Sequence, residues 1–517
     1  MSTGVGEASY DSLMSTRSAL EVERKYEFIS GSALPDLIGV AGIAEMRPLD
    51  VEELDATYYD TADLRLTLAG VTLRRRSGGR DAGWHLKLPV GGDTREEISR
   101  PAHGNGTTVP AELRALVGAR VRKAKLKPVV RLRTRREVRQ LVDGAGRVLA
   151  EFADDRVTAA VLGDAASAEV WRELEIELVD GDEAVLDAVG ALLQETGAVP
   201  TGWSSKLAHA LGVRLPPAPP PPTRAHTAGD AVLRHLREQV TELVSRDPGV
   251  RRDAPDAVHK MRVATRRLRS ALKTFRPVLD RVATDPVRAE LTHLAAVLGG
   301  ARDAEVLRDR LRAAVGALPV ELVLGPVLAR VDTELIGRHR EAHARVVAEL
   351  DGARYLALLD SLDQLLDDPP WRARAQRPAR KELRHMVRRT WVKLEAAAAA
   401  AEAAPTAEQR AHLLHEARKT AKQVRYAAEA SVEVLGQDAR AFAKRVETVQ
   451  EALGEHQDSV VARARLRELG VVAHLAGENA FTFGLLYGLE AGRADRTVEA
   501  FDELWPALAG KHSRWLR

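Results

Sequence analysis

The chain has 517 residues, more than one compact hydrophobic core usually serves, so we expect two or more domains. Its 77 lysines and arginines nearly balance 74 acidic residues, and a net charge of +3 does not by itself call for nucleic acid as a partner. The absence of cysteine excludes disulfides, thiolate metal sites and a cysteine nucleophile.

The N-terminal residues 1–16 are mostly small and polar, which predicts a disordered segment. The first 18 residues contain no apolar stretch of the kind that signal peptides carry. The longest alanine run, Ala396–Ala401, is short and is flanked by Glu395 and Glu402, so it does not suit a membrane span. These features predict a cytoplasmic protein.

Residues 17–212 are predicted to form β-strands, because β-rich runs alternate with glycine-rich turn signals such as Gly78-Gly79. Successive side chains of a strand point to opposite faces, so Glu21, Glu23 and Lys25 share one face of the first strand. Five later segments repeat this alternation of charged and apolar residues. Their charged faces are Arg74 and Arg76; His85 and Lys87; Arg95 and Glu97; Arg131, Arg133 and Arg135; and Glu173, Glu175 and Glu177.

Such strands predict an antiparallel sheet with one apolar and one charged face. A single charged strand is usually the solvated side of a sheet, and the arginines from Arg131 to Arg135 would also suit an exposed edge. Six strands of this kind favour closure into a barrel with the charges inside. Clustered arginines and lysines then call for a polyanion, and clustered glutamates call for a divalent cation.

For two of these strands, the sequence leaves open which residues face the barrel interior. Residues 131–136 offer arginines of both parities, so the set that faces the barrel interior is uncertain by one register step. The adjacent Asp154 and Asp155 leave the inward aspartate undecided in the same way.

The Glu21-x-Glu23-x-Lys25 motif, followed by arginine, lysine and glutamate strands in this order, resembles the CYTH family of triphosphate tunnel metalloenzymes over residues 17–212. The resemblance implies a tunnel that holds a linear triphosphate, with Mg²⁺ or Mn²⁺ as cofactor and inorganic tripolyphosphate as substrate. It implies catalytic roles for Glu21, Glu23 and Lys25. The implied phosphate-binding residues are Lys25, Arg74, Arg76, Lys87, Arg131, Arg133 and Lys206. The implied metal ligands are Glu21, Glu23, Asp155, Glu175 and Glu177, with Glu97 or Glu173 as additions.

Helical spacing of apolar residues predicts helices over 182–196 and over 204–211, the second carrying Lys206. The proline-rich stretch Leu215–Pro222 predicts a stiff linker, assigned to residues 213–227. Residues 228–517 are rich in Ala, Leu and Arg with a 3.6-residue period, which predicts an all-helical domain.

The helical domain contains an internal repeat. His259–Arg269 matches His415–Arg425 at an offset of 156, and Leu298–Asp303 matches Leu453–Asp458 at an offset of 155. Two matches at nearly one offset predict two related helical bundles. Each repeat also carries a basic stripe along one helix face. The stripes are His259, Arg262, Arg266, Arg269 and Lys273, and His415, Arg418, Lys422 and Arg425.

Alternative roles exist for these residues. His259 and His415 would suit metal ligands, but the cations around them disfavour a divalent ion, so hydrogen bonding to phosphate or orientation of neighbours fits better. Asp303 and Asp458 are expected to form structural ion pairs with the arginine stripes.

The stripes resemble the CHAD family over residues 224–517, and that resemblance implies binding of inorganic polyphosphate. The implied binding residues are His259, Arg262, Arg266, Arg269, Lys273, His415, Arg418, Lys419, Lys422 and Arg425. No aromatic platform is interleaved with the stripes, so nucleic acid is not expected as a partner. The resemblance extends the expected location to polyphosphate granules.

The predicted fold is therefore multidomain, with an N-terminal antiparallel β-barrel tunnel and flanking helices followed by all-α tandem bundles. The predicted function is metal-dependent hydrolysis of inorganic triphosphate or short polyphosphate, with polyphosphate binding by the helical domain. Two alternatives remain. One is a non-catalytic protein that binds polyphosphate and targets it; the other is a tunnel enzyme that acts on a nucleotide or on thiamine triphosphate.

Overall fold

The computed structural model describes residues 17–28, 33–102, 106–163, 168–216 and 225–516. The chain divides into two compact units, Met1–Pro219 and Pro220–Arg517. The predicted disordered segment 1–16 and residues 217–224 of the predicted linker lie outside the described residues. The exact domain boundaries therefore stay a prediction.

The first unit is built on an antiparallel sheet. Its strands are β1 (Arg17–Glu27), β2 (Ile43–Pro48), β3 (Glu52–Asp60), β4 (Thr72–Ser77), β5 (Gly83–Gly91), β6 (Thr94–Arg100), β7 (Lys127–Asp143), β8 (Val148–Val161), β9 (Ala168–Leu178) and β10 (Val199–Pro200). The order β1-β6-β5-β4-β3-β7-β8-β9 closes on itself because β9 also pairs with β1, which makes an eight-stranded barrel. β2 pairs with β7 and β10 with β1 outside this ring. The predicted barrel is confirmed.

Short helices pack against the strands of the barrel. They are α1 (Arg65–Leu68), α2 (Ala111–Leu116), α3 (Gly118–Val121), α4 (Glu183–Glu195) and α5 (Lys206–Leu211). Outward residues such as Phe152 and Ile176 pack against α4, while outward residues of β4, β5 and β6 pack against α2 and α3. The apolar faces of the strands are thus buried outside the ring, which leaves the charged faces for the interior. The side chains of Asp182 and Ser205 cap α4 and α5 at their N termini.

α5 differs from the other helices because it packs on inward-facing residues. Leu207 and Leu211 of α5 form a cluster with Ala56, Tyr58 and Leu132 of β3 and β7. One end of the barrel interior is therefore apolar, and Lys206 at the start of α5 reaches the charged part of the lumen.

The second unit is helical, as predicted. Its helices are α6 (Ala228–Arg251), α7 (Ala257–Thr274), α8 (Arg281–Gly316), α9 (Val327–Asp351), α10 (Ala353–Asp367), α11 (Ala379–Glu402), α12 (Ala407–Glu429), α13 (Val432–Leu435), α14 (Gln437–Leu475) and α15 (Phe481–Ala507). Over the described ranges, no helix combines the length and the apolar character that a membrane span requires.

The internal repeat appears in the packing of this unit. In the first repeat α7 packs on α6 and α8; in the second, α12 packs on α11 and α14. α7 and α12 also contact each other, which brings together the two helices that carry the basic stripes.

Candidate functional site

The barrel encloses a cavity of about 100 Å³ with a balanced set of charges. Seven basic side chains line it: Lys25, Arg74, Arg76, Lys87, Arg95, Arg136 and Lys206. Seven acidic side chains join them: Glu21, Glu23, Asp81, Glu97, Asp155, Glu175 and Glu177. The structure thus brings together the barrel residues expected for the site, except Arg131, Arg133 and the additional candidate Glu173, which does not line the cavity but contacts Lys206.

The expectation for Arg131 and Arg133 is wrong. Both lie on the outer face of β7: Arg131 Nε donates to Asp55 Oδ1 at 2.8 Å, and the Arg133 side chain is 69% exposed. The inward positions of this strand are Leu132, Thr134 and Arg136. The reason is the packing of α5, which requires apolar inward residues at this end of the barrel and so places the arginines outside.

The structure resolves the choice between the two aspartates of β8. Asp155 points inward, where it accepts hydrogen bonds from Arg136 at 2.6 and 2.8 Å and lies 2.9 Å from Lys206 Nζ. Asp154 instead accepts from Arg172 at 2.8 Å, and the Arg172 guanidinium lies over the Phe28 ring. Asp155 is therefore the aspartate of the lumen.

The first strand supplies carboxylates in two different states. Glu21 accepts a hydrogen bond from Lys87 at 2.5 Å, and Glu23 accepts one from Lys25 at 2.8 Å. Burial raises the pKa of Glu21 to about 8, although Lys87 opposes this shift. Burial also favours the protonated form of Glu23, but the positive charges of Lys25 and Lys87 outweigh this effect and lower the pKa of Glu23 to about 2. At neutral pH Glu23 is ionised, whereas Glu21 holds a proton.

Lys206 lies at the centre of an acidic cage. Its ammonium is 2.9 Å from Asp155, 2.8 Å from Glu173 and 2.5 Å from Glu175. Arg136 also donates to Glu175. The excess negative charge of three carboxylates around one ammonium is offset by Arg136 and by Lys25, whose ammonium lies 3.4 Å from Glu175.

Glu177 fits a metal ligand by its position. It lies directly opposite Glu23 in the pairing of β1 with β9, and burial raises its pKa against the charge of Lys87. Among the residues that the structure describes, no lysine, arginine or histidine forms an ion pair with it. Two inward carboxylates on adjacent strands, one of them without a cation, form the hard oxygen donor set that Mg²⁺ and Mn²⁺ prefer.

A basic wall faces these glutamates. β4 and β9 are four strands apart in the eight-stranded ring, so Arg74 and Arg76 lie across the lumen from Glu175 and Glu177. The Nε atoms of both arginines are buried, and neither has a hydrogen-bond partner among the residues that the structure describes. Burial, together with Arg74 and Arg136, lowers the pKa of Arg76 to about 9. Buried guanidinium donors without acceptors fit an anion in the cavity.

The structure answers the question that the sequence left open for β7: Arg136, directly opposite Asp155 of β8, is the arginine that faces this cavity. Sequence reasoning missed Asp81. Asp81 lies in the turn before β5, where no alternation marks it. Asp81, His85 and Glu97 offer ligand atoms within 4.8 Å of one another and could hold a metal ion. His85 Nδ1 contacts Glu97, and its Nε2 lies 2.8 Å from the Asp81 carbonyl oxygen.

The second unit has a basic cavity of about 550 Å³ between α7, α8 and α12. Its charged lining residues are Arg262, Arg266, Arg269, Lys273, Arg288, Lys419 and Lys422. His259, His415, Arg418 and Arg425, which were expected with them, are not lining residues. Arg425 instead pairs with Glu429 at 2.7 Å and with Glu447 at 3.0 Å.

The predicted pairing of the repeat aspartates is confirmed. Arg262 lies 2.8 Å from Asp303, and Arg418 lies 4.0 Å from Asp458. By contrast, four other cations of the cavity have no carboxylate within 4.0 Å among the described residues. These four cations are Arg266, Arg269, Lys273 and Lys422.

An aromatic residue missed in the sequence, Tyr426, also lines this cavity. The expectation was that the stripes carry no aromatic platform on which a base could stack, so the surroundings of this ring decide whether that expectation holds. The guanidinium groups of Arg266 and Arg425 lie 5.7 and 5.5 Å from the ring centroid, and the residue is only 4% exposed. The ring is thus covered by cations and offers no open face on which a base could stack.

Two known protein families match the two halves of the chain. Residues 19–199 match the CYTH domain family, and residues 234–467 match the CHAD domain family. The "Uncharacterized protein Rv2226" of Mycobacterium tuberculosis (strain ATCC 25618 / H37Rv) is 40% identical over 501 residues, which cover 93% of this chain and 95% of that protein.

Two solved structures are also similar. "PptA from Streptomyces chartreusis" shares 22% identity at a TM-score of 0.46, covering 55% of this chain and 100% of its own. The CHAD domain from the plant Ricinus communis shares 21% identity at a TM-score of 0.41, covering 57% and 98%. CYTH domains form a family of tunnel enzymes that includes triphosphatases. The family matches and the relative with 40% identity show that the chain belongs to the proteins in which a CYTH domain is followed by a CHAD domain.

Proposed function

We propose that the barrel hydrolyses inorganic triphosphate or a short polyphosphate with the help of Mg²⁺ or Mn²⁺. The observation that carries this proposal is the opposition of Arg74 and Arg76 to Glu175 and Glu177 across one enclosed lumen. A pure anion site gains nothing from a wall of glutamates, and a pure cation site gains nothing from buried arginines.

In this proposal the basic wall holds the phosphate chain. Arg74 and Arg76 offer planar forks that bind two phosphate oxygens, whereas Lys25, Lys87 and Lys206 act as point charges. Arg136 takes the place first expected for Arg131 and Arg133. Arg76 and Lys206 are buried, which strengthens their contacts with a bound anion.

The inward carboxylates would hold the divalent cation: Glu21, Glu23, Asp155, Glu175 and Glu177. Bound there, the cation would neutralise charge on the terminal phosphate and lower the pKa of a bound water. The chain's own contribution is to orient the phosphates in line with the attacking water and to bind the charge that develops in the transition state.

Phosphate release by the purified chain tests this function. The substrates would be tripolyphosphate, long polyphosphate, ATP and thiamine triphosphate, each with Mg²⁺ and with Mn²⁺. We expect tripolyphosphate to be turned over fastest. Preference for ATP or thiamine triphosphate would favour the organic-substrate alternative, and no release from any substrate would favour the non-catalytic binding protein.

We also propose that the helical unit binds inorganic polyphosphate in its basic cavity. The supporting observation is a group of four cations that have no carboxylate partner in the described part of the chain: Arg266, Arg269, Lys273 and Lys422. Clustered cations repel one another, and a polyanion removes that cost. Binding of polyphosphates of increasing length tests the proposal, because a chain that reaches more cations should bind more tightly. A cytoplasmic location is part of the same proposal.

A further inference from the structure

Lys422 occupies an unusual position in the basic cavity. It lies on α12 among the guanidinium groups of Arg262 and Arg266 from α7 and of Arg418 from its own helix. α8 adds Arg288 to the same cavity, and no lining residue comes from the described part of α11. The lysine is half-buried, so solvent screens these like charges only in part.

The carboxylate that acts on Lys422 does so from a distance. The acid that acts on it, Asp458 of α14, lies 4.0 Å from Arg418 and also feels the charge of Arg310. Within the described residues, no Asp or Glu lies within 4.0 Å of the Lys422 ammonium. Lys419, one turn away, differs because Glu416 lies 2.7 Å from its ammonium.

Burial and neighbouring cations both disfavour an ammonium, whereas a bound polyanion favours it. We infer that Lys422 couples polyanion binding to proton uptake, so that the cavity binds its ligand together with a proton and loses affinity in mildly alkaline solution. This inference rests on the proposed polyphosphate binding and adds a regulatory property to that site.

The direction of the effect follows from the charge on the free cavity. Burial first, and then Arg418, Arg266 and Arg262, lower the pKa of Lys422 to about 7. Above that pH the free cavity holds a neutral amine, and phosphate oxygens in contact with it raise its pKa again. Binding must then take a proton from solution, so affinity falls as pH rises through the range between the free and the bound pKa values.

Two histidines near the cavity could contribute to the same effect. Burial, followed by neighbouring cations, lowers the pKa of His259 and of His415. A test must therefore separate the lysine from the imidazoles. Lys422→Arg does so, because arginine keeps the positive charge but does not titrate near neutral pH.

The experiment is calorimetric titration of the full chain with long polyphosphate, without added metal, in buffers of different ionisation enthalpy. For the natural chain we expect net proton uptake near neutral pH and an affinity that falls by up to about tenfold per pH unit between about pH 7 and about pH 9. Lys422→Arg should bind with little proton uptake and a much flatter pH profile. Lys422→Met should bind more weakly at about pH 6 and also lose the uptake.

Lys260→Arg serves as a matched control, because Lys260 lies exposed on α7 outside the cavity lining. It should keep the natural proton uptake. Binding without proton uptake in the natural chain, or full uptake in Lys422→Arg, would overturn this inference and leave polyphosphate binding intact. Absence of binding at every pH would overturn the proposed binding function as well.

Discussion

Glu23 of β1 and Glu177 of β9 are direct cross-strand neighbours that both face the barrel lumen. Like charges placed opposite each other destabilise a sheet, so this pair costs stability unless a cation lies between the carboxylates. Lys25 compensates Glu23 at 2.8 Å, and Glu177 has no such partner in the described part of the chain. Removing one of these two carboxylates should therefore stabilise the metal-free protein and weaken its binding of a metal ion.

Replacing Glu177 with Gln should make both effects measurable. In metal-free protein the change removes a like-charge contact, and we expect the free energy of unfolding to rise by about 0.5–1 kcal/mol. Mn²⁺ affinity, measured by calorimetry, should fall by at least about tenfold, because one hard oxygen ligand loses its charge. Glu45→Gln, on the exposed strand β2, should change neither quantity. Lower stability together with unchanged Mn²⁺ affinity would contradict the assignment of Glu177.

Metal binding should depend on pH through Glu21. Because burial raises the pKa of Glu21 to about 8, its carboxyl holds a proton at neutral pH, and a metal must displace that proton. We expect Mn²⁺ affinity to rise as pH increases toward about 8 and then to level off. Glu21→Gln should weaken binding and flatten the profile. A flat profile in the natural chain would show that Glu21 is not a ligand.

The two arginine positions of β7 provide a matched pair of variants. Arg136→Met leaves the buried carboxylates of Asp155 and Glu175 without one of their cations, which should lower the free energy of unfolding by roughly 3 kcal/mol and raise the KM for triphosphate. Arg131→Met removes an exposed contact with Asp55, and it should change neither the free energy of unfolding nor KM appreciably. Chemical denaturation and steady-state kinetics check both. Equal effects of the two variants would contradict the register of β7.

The proline-rich segment should separate two units that fold alone. A protease site introduced between Pro219 and Pro220 should release two fragments, each with a cooperative unfolding transition, because each unit has its own core. Circular dichroism should show mainly strand in one fragment and mainly helix in the other. Aggregation of both fragments after cleavage would instead indicate a large shared interface.

Charge reversal should abolish polyphosphate binding by the helical unit. Arg266→Glu combined with Lys422→Glu changes two cavity residues that pair with no carboxylate among those the structure describes, so we expect loss of binding with the helical spectrum unchanged. Lys260→Glu combined with Lys444→Glu, both exposed outside the cavity lining, is the matched control.

In the natural chain, long polyphosphate should displace single-stranded RNA, and binding should weaken with salt. Tighter binding of RNA would argue for a different ligand.

Sequence periodicity predicted much of the barrel site because the alternation of a strand is a property of its backbone. It placed Glu21, Glu23 and Lys25 on one face, and Arg74 with Arg76, as the structure does. It failed at Arg131 because the packing of α5, a tertiary contact, decides which face of β7 is apolar inside the barrel.

The basic cavity shows the same limit. The stripe on α7 follows from helical spacing, so Arg262, Arg266, Arg269 and Lys273 could be predicted. Arg288 and Tyr426 come from outside the stripes, and only the packing of α7, α8 and α12 brings them into one cavity. No local pattern in the sequence marks either residue.

The central claim is metal-dependent triphosphate hydrolysis in the barrel, and phosphate release from tripolyphosphate by Glu23→Gln tests it most directly. The substitution removes a charge at nearly constant volume, so the fold should persist while turnover falls by roughly 100-fold or more. The strand signal in circular dichroism and the unfolding transition of the barrel should be unchanged, which confirms that the barrel of the variant is folded, and polyphosphate binding by the helical unit should persist. Natural activity in Glu23→Gln, or phosphate release by the natural chain that persists after the divalent cation is removed, would contradict the account.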